Sequence, residues 1–226
     1  MTSMNGTNKA FRVGIALLLA AAASSGGCQL VSGMTESYLR SSTKTVPPEW
    51  DGLKGKTIGV LVAMDPSLHT RFPQMEFYLI ARVTERLADP AHDTGVTGYT
   101  DIRECLAFSA NNPGWIAKSA EELGKGLGGV DCVIVVELDD FRLHDPGNMY
   151  TWDGEAAGTL GVFDLTGPVP NEFAFRKAVT VRFPDTKGAG PDAIAGDVVS
   201  TELIRRFVDR TTWAFYTHEE PYYAKY

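Results

Sequence analysis

Apolar residues follow three kinds of pattern along this chain. Residues 13–23 are apolar or small without a break, flanked by Lys9 and Arg12 before and by Ser24-Ser25-Gly26-Gly27-Cys28 after. Residues 56–63 and 130–138 are shorter aliphatic runs between polar residues, the pattern of strands buried on both faces. Elsewhere the apolar positions are periodic. Phe72, Met75, Leu79, Val83 and Leu87 step by three and four, which predicts an amphipathic helix over 73–89, closed by Asp89-Pro90. Ile116, Ala120, Leu123 and Leu127 predict a second helix over 115–127, after the loop Asn111-Asn112-Pro113-Gly114. Ala195, Val199, Leu203 and Phe207 predict a third, over 191–210. Phe173, Phe175, Val179, Val181 and Phe183 alternate with Arg176, Thr180 and Arg182, so 172–183 reads as a strand with one wet face. A strand at 156–165 precedes it, Met64-Asp-Pro-Ser67 reads as a turn, and a further strand is expected within 96–106. The expected order is β-α-(β)-α-β-β-β-α. This is an α/β (α+β) architecture, a single mixed sheet with helices packed on it.

The first run differs from the others. A short positive region, an apolar stretch of about 7–15 residues and a small-residue cluster describe an export signal. The stretch is too short to cross a bilayer, which takes about 20 apolar residues. With Gly26, Gly27 and Cys28 the segment resembles a bacterial lipoprotein signal, in which the Cys is lipidated and becomes the mature N-terminus; Ser25 stands where that signal usually has an aliphatic residue. In the better-known Gram-negative lipoproteins Asp after the Cys favours the inner membrane, so Gln29 points to the outer one. The resulting organisation is signal peptide 1–27, lipidated Cys28 and flexible tether 28–52, rich in Ser and Thr and closed by Pro47-Pro48, and a single α/β domain 53–226. The chain of 226 residues carries 21 Lys+Arg against 28 Asp+Glu, a net charge of -7. The signal holds Lys9 and Arg12 and no acid, so the exported part is more acidic still. That charge, without a Lys/Arg block, excludes nucleic acid as a partner and leaves membrane attachment to the lipid.

Three stretches resemble a group of bacterial envelope lipoproteins that includes the curli-secretion lipoprotein, the outer-membrane activator of a penicillin-binding protein and the N-terminal domain of the Tol–Pal translocation protein. They are Lys56-Thr-Ile-Gly-Val-Leu-Val-Ala63 as an opening strand, residues 122–138 as a helix end, a glycine turn, Asp131 and a buried strand, and Leu160-Gly-Val-Phe-Asp-Leu-Thr-Gly167 as a strand closing on Asp-x-x-Gly. The resemblance implies a domain that binds proteins and assembles envelope machinery, with no shared catalytic residue. Pore-forming relatives need membrane-crossing hairpins of about 9–11 alternating residues per strand; the turns expected here at 139–155 and 166–171 are short and polar.

The residues with reactive chemistry do not assemble into a known motif. Gly124-Lys-Gly-Leu-Gly-Gly129 closes a helix and precedes a strand, the reverse of a dinucleotide loop. Glu137, Asp139, Asp140, Asp145, Asp153 and Glu155, with His144 among them, lack calcium-loop spacing and read as a solvated turn. His69, His92, His144 and His218 have no zinc spacing, and Ser67 near His69 has no nucleophile elbow. Cys105 and Cys132 either pair in an oxidising compartment or stay buried thiols. Of the C-terminal aromatics, Trp213 and Phe215 suit packing, while Tyr222, Tyr223 and Tyr226 suit either packing or a partner surface. No metal, cofactor or enzymatic activity is expected. The expectation is a lipid-anchored periplasmic protein that binds envelope proteins or itself, with a small-ligand or glycan module for a transport system as the alternative.

Overall fold

The computed structural model describes residues 42–221. The signal segment 1–27, Cys28, and Tyr222, Tyr223 and Tyr226 lie outside the described residues. Among the described residues two units are distinguished: Thr45–His218, and residues 42–44 with residues 219–221.

The larger unit is built on a mixed five-stranded sheet. Its strands are β2 (Thr57–Met64), β3 (Gly98–Tyr99), β4 (Cys132–Arg142), β5 (Gly154–Asp164) and β6 (Phe173–Phe183), in the order β3-β2-β4-β5-β6. The aliphatic runs of β2 and β4 lie side by side in parallel, from Ile58 beside Cys132 to Met64 beside Leu138. Both are covered on both faces: Ile58, Leu61, Val133, Ile134 and Val136 have no exposed surface. β4, β5 and β6 form an antiparallel meander with irregularities at Leu138/Asp140 and at Val162/Phe163. On β6, Val179 and Val181 are buried while Arg176, Thr180 and Arg182 are exposed, as the alternation predicts.

Five helices pack on this frame: α1 (Pro66–Arg71), α2 (Met75–Ala88), α3 (Ile102–Asn111), α4 (Ala120–Gly126) and α5 (Gly196–Thr212). α2 buries Leu79, Ile80, Val83 and Leu87, and α5 buries Val199, Leu203 and Phe207. α5 lies over β5, where Gly158 and Gly154 leave room for Phe207 and Leu203. Leu127, just past α4, fills the space above Gly59 of β2.

Several local expectations are corrected, three of them by a capping interaction. Met64-Asp-Pro-Ser67 starts α1, because the Asp65 carboxylate accepts the Ser67 N–H at 2.8 Å and Pro66 is preset for a first helical turn. Within 96–106 only Gly98–Tyr99 pairs as strand; Asp101 accepts the Arg103 N–H at 2.8 Å and opens α3. The helix expected over 115–127 is a 3-10 turn, Trp115–Ala117, and then α4, restarted by a capping box between Ser119 and Glu122. The helix expected from 191 begins at Gly196. β4 continues past 138 to Arg142, so Asp139 and Asp140 belong to a strand and not to a turn.

The tether expected over 28–52 has structure at its end. β1 (Thr43–Val46) pairs with β7 (His218–Pro221) in a two-stranded sheet, where Lys44 Nζ meets Glu220 at 3.1 Å. Further on, the Glu49 and Trp50 N–H groups both donate to the Ala214 carbonyl, at 2.9 and 3.0 Å. The Trp50 ring sits 6.2 Å from Phe175 and 6.1 Å from Phe215. An apolar anchor and satisfied backbone donors hold residues 49–50 in place.

Candidate functional site

β2 is flanked by parallel neighbours on both sides, and its C-terminal end, residues 62–64, opens into a cleft of about 740 Å³. In open parallel sheets a crevice at the carboxyl end of the strands is the usual ligand position, and this volume is that of small-molecule sites, about 300–1,000 Å³. α1 contributes Pro66, His69 and Thr70; α2 contributes Glu76; α3 contributes Leu106, Ser109 and Ala110; Pro113, Trp115 and Ile116 close the far side.

Three polar side chains converge there. Glu76 Oε1 accepts the Ser109 hydroxyl at 2.7 Å, and His69 Nδ1 lies 3.8 Å from Glu76 Oε2. The Glu76 side chain is 18% exposed and that of His69 56%, so the carboxylate is sheltered and the imidazole stands at the rim. Glu76 is seated in the first turn of α2, where a negative charge is favoured. Ser67 takes no part: its N–H completes the α1 cap. The sequence singled out His69 but not Glu76 or Ser109.

The other residues singled out in the sequence have structural roles. Gly128 and Gly129 adopt φ of +88° and +80°, and the Gly129 N–H donates to the Gly124 carbonyl at 2.9 Å, which ends α4 and turns the chain into β4. Asp131 accepts from the Thr57 N–H and hydroxyl at 2.9 and 2.8 Å, and these bonds hold its carboxyl below the usual range. Asp164 takes Lys56 Nζ at 2.6 Å. The motif residues thus tie the starts of β2 and β4 and the end of β5.

The acidic stretch is laced together by cations. Arg142 pairs with Asp140 and lies 3.3 Å from Glu155, which also takes Arg182 at 2.6 Å. Asp153 is raised above the usual carboxyl range, first by its hydrogen bond with Asp145. Among the described residues, no three His, Cys, Asp or Glu are grouped to hold a metal ion. Three histidines stack on aromatic rings: His92 on Tyr216 at 4.2 Å, His144 on Trp152 and His218 on Trp213, both at 4.4 Å. Trp213 and Phe215 pack inward as expected.

Cys105 and Cys132 are free, buried thiols and form no disulfide, which corrects the paired alternative. Cys105 lies on α3, near the Thr100 carbonyl, and Cys132 begins β4. Burial raises Cys105 and pushes Cys132 up to about 11. Neither should react with an alkylating reagent in the native protein at neutral pH, and both should react in denaturant. Mass spectrometry of labelled peptides checks this; native labelling of either would contradict the placement.

A second groove, of about 760 Å³, runs between α2 and α5. Its charges are matched internally: Arg82 with Glu85 at 2.9 Å, and Arg86 and Arg205 with Asp209 at 2.9 and 2.6 Å. Its three arginines are thus each held by a carboxylate.

Fold and site together define a mixed α/β protein with a sheltered carboxylate in an open cleft. No family model matches the chain, and no curated protein matches it in sequence. Among solved structures it is similar to PelC from Paraburkholderia phytofirmans, a dodecamer, at 10% identity and a TM-score of 0.44, over 77% of this chain and 98% of PelC. It is similar to lipoprotein GNA1162 from Neisseria meningitidis at 12% identity and 0.41, over 66% and 94%. Similarity to the hypothetical protein CT253 from Chlamydia trachomatis stands at 14% identity and 0.39, over 70% and 98%.

Proposed function

We propose that this chain is a lipid-anchored envelope protein, facing the periplasm from the outer membrane, that acts by binding other envelope proteins or copies of itself and not by catalysis. The observation that carries the reading is the N-terminal pattern: Lys9 and Arg12, the apolar run 13–23, then Gly26-Gly27-Cys28. The acidity of the remainder supports it, since the protein's own charge supplies no attraction to an anionic membrane surface. Several acyl chains on one Cys anchor stably where a single chain binds marginally. Palmitate fed to cells should label the protein, and Cys28→Ala should lose the label and move to the soluble fraction. A Cys28→Ala variant still held in membranes would overturn the anchor. Crosslinking and pull-down of the native protein from membranes tests the binding role; recovery of the uncrosslinked chain alone counts against it.

The cleft beside β2 supports a second reading, in which the domain also binds a small ligand. Its volume, its place at the strand ends and its convergent polar groups are those of a ligand site. The Ser109 hydroxyl fixes the direction of the Glu76 carboxylate, as a binding site requires. A thermal-shift screen of envelope solutes and glycans tests it, with no stabilisation by any compound as the contrary result.

A further inference from the structure

We infer that the cleft beside β2 takes a small organic amine: an ammonium head against Glu76 and an apolar body against Leu106, Trp115 and Ile116. This rests on the small-ligand reading of the same cleft. Glu76 carries the single carboxylate of the lining, which contains no Lys or Arg. Its side chain is 18% exposed, enough for a ligand to reach and little enough for water to be largely displaced. Ser109 holds one oxygen at 2.7 Å, which fixes the carboxylate's direction. The other oxygen faces His69 only at 3.8 Å, beyond an ordinary hydrogen bond, so it keeps acceptor capacity.

The charge decides the ligand class. A sheltered carboxylate with no Lys or Arg in the lining disfavours an anion, because like charge meets it at low dielectric. A neutral polyol would leave the carboxylate's charge unanswered and set its hydroxyls against apolar walls. An ammonium answers the charge with a charge-assisted hydrogen bond, the stronger kind. One carboxylate and one imidazole are too few donors for a metal, whereas they suit a single ammonium. Trp115 is 7% exposed and forms a firm floor, and Ile116, 59% exposed, stands at the mouth. The body that follows the ammonium is therefore apolar.

The test is calorimetric titration of the full chain in detergent with phenethylamine, phenethyl alcohol and hydrocinnamate, which share a ring and differ in head group. The amine should bind about ten-fold more tightly than the alcohol, and hydrocinnamate least. Glu76→Gln, which keeps an acceptor for Ser109, should bring the amine down to the level of the alcohol. Ile116→Ser, at an exposed position, should weaken amine and alcohol alike and so serves even where the first variant folds poorly. Equal binding of the three probes, or an amine preference that survives Glu76→Gln, overturns the amine assignment and leaves the small-ligand reading standing. No binding of any probe overturns both.

Discussion

Gly158→Ala should destabilise the protein by about 3 kcal/mol or more, among the larger effects of a single methyl group. Gly158 lies in β5 where α5 crosses the sheet. A Cβ there would meet the Glu137 carbonyl oxygen at 2.0 Å and Phe207 Cζ at 3.1 Å. The first contact is with backbone in the neighbouring strand, at the irregularity of β4 around Leu138/Asp140, and it cannot be relieved by a rotamer change. Phe207→Leu should therefore not rescue the variant, although it clears the second contact. Gly161→Ala is the internal control. Its Cβ would meet the Phe173 ring at 2.4 Å, but that ring belongs to a residue 37% exposed, which can swing aside. Urea denaturation followed by circular dichroism should separate the two widely; equal, small losses would show that the β4–β5 spacing is looser than described.

Arg206→Met should cost about 2–3 kcal/mol, near the lower limit for breaking a buried ion pair. Arg206 is 8% exposed and donates to both Asp185 oxygens, to the Arg182 carbonyl and to Glu202, each at 2.8 Å. Its guanidinium also lies 4.9 Å over the Phe183 ring. Methionine keeps the apolar stem and removes every donor. The Asp185 side chain is 35% exposed, so water recovers part of the loss, which keeps the figure below that of a fully buried pair. The loss depends on pH in a defined direction. Arg205 first, and then Arg206, hold Glu202 at about 2 against an ordinary 4.5. A carboxyl lowered in the folded state contributes stability that is complete above 4.5 and fades as pH falls toward about 2. The gap in Tm between wild type and variant should accordingly narrow through that acid window. A gap that widens with acid would exclude the Glu202 link.

How much of this was legible in the sequence depended on the range of the determining contact. β2 and the first half of β4 announced themselves because strand segments covered on both faces carry uninterrupted apolar runs, as at 58–64 and 132–136. β6 did so because Val179 and Val181 alternate with Thr180 and Arg182. α3 was missed because Val96, Ile102 and Leu106 match neither period cleanly, although Asp101 three residues before Glu104 was a helix-start signal. The site was nearly invisible. Ser109 and Glu76 are 33 positions apart, and only the packing of α2 against α3 makes them neighbours. The acidic stretch needed the fold in another way: clustered in sequence, its Asp140, Asp145 and Glu155 are answered by Arg142 and Arg182, the latter brought from the next strand.

The parallel pairing of β2 with β4 bears on the order in which the molecule assembles. The meander β4-β5-β6 joins strands through short connections, whereas the Thr57–Asp131 tie spans 74 positions. Loop closure grows costlier with length, and long-range pairing is the slower event in folding. The meander with α5 should thus form early, and β2 with α1, α2 and α3 should dock onto it afterwards. The cleft belongs wholly to the late half, so it is also where partial opening of the native state should concentrate. A ligand seated there would restrain that opening by mass action. Amides of α1 and α3 should exchange hydrogen faster than those of β5 and slow selectively when phenethylamine is added; slowing spread evenly over both halves would contradict this division.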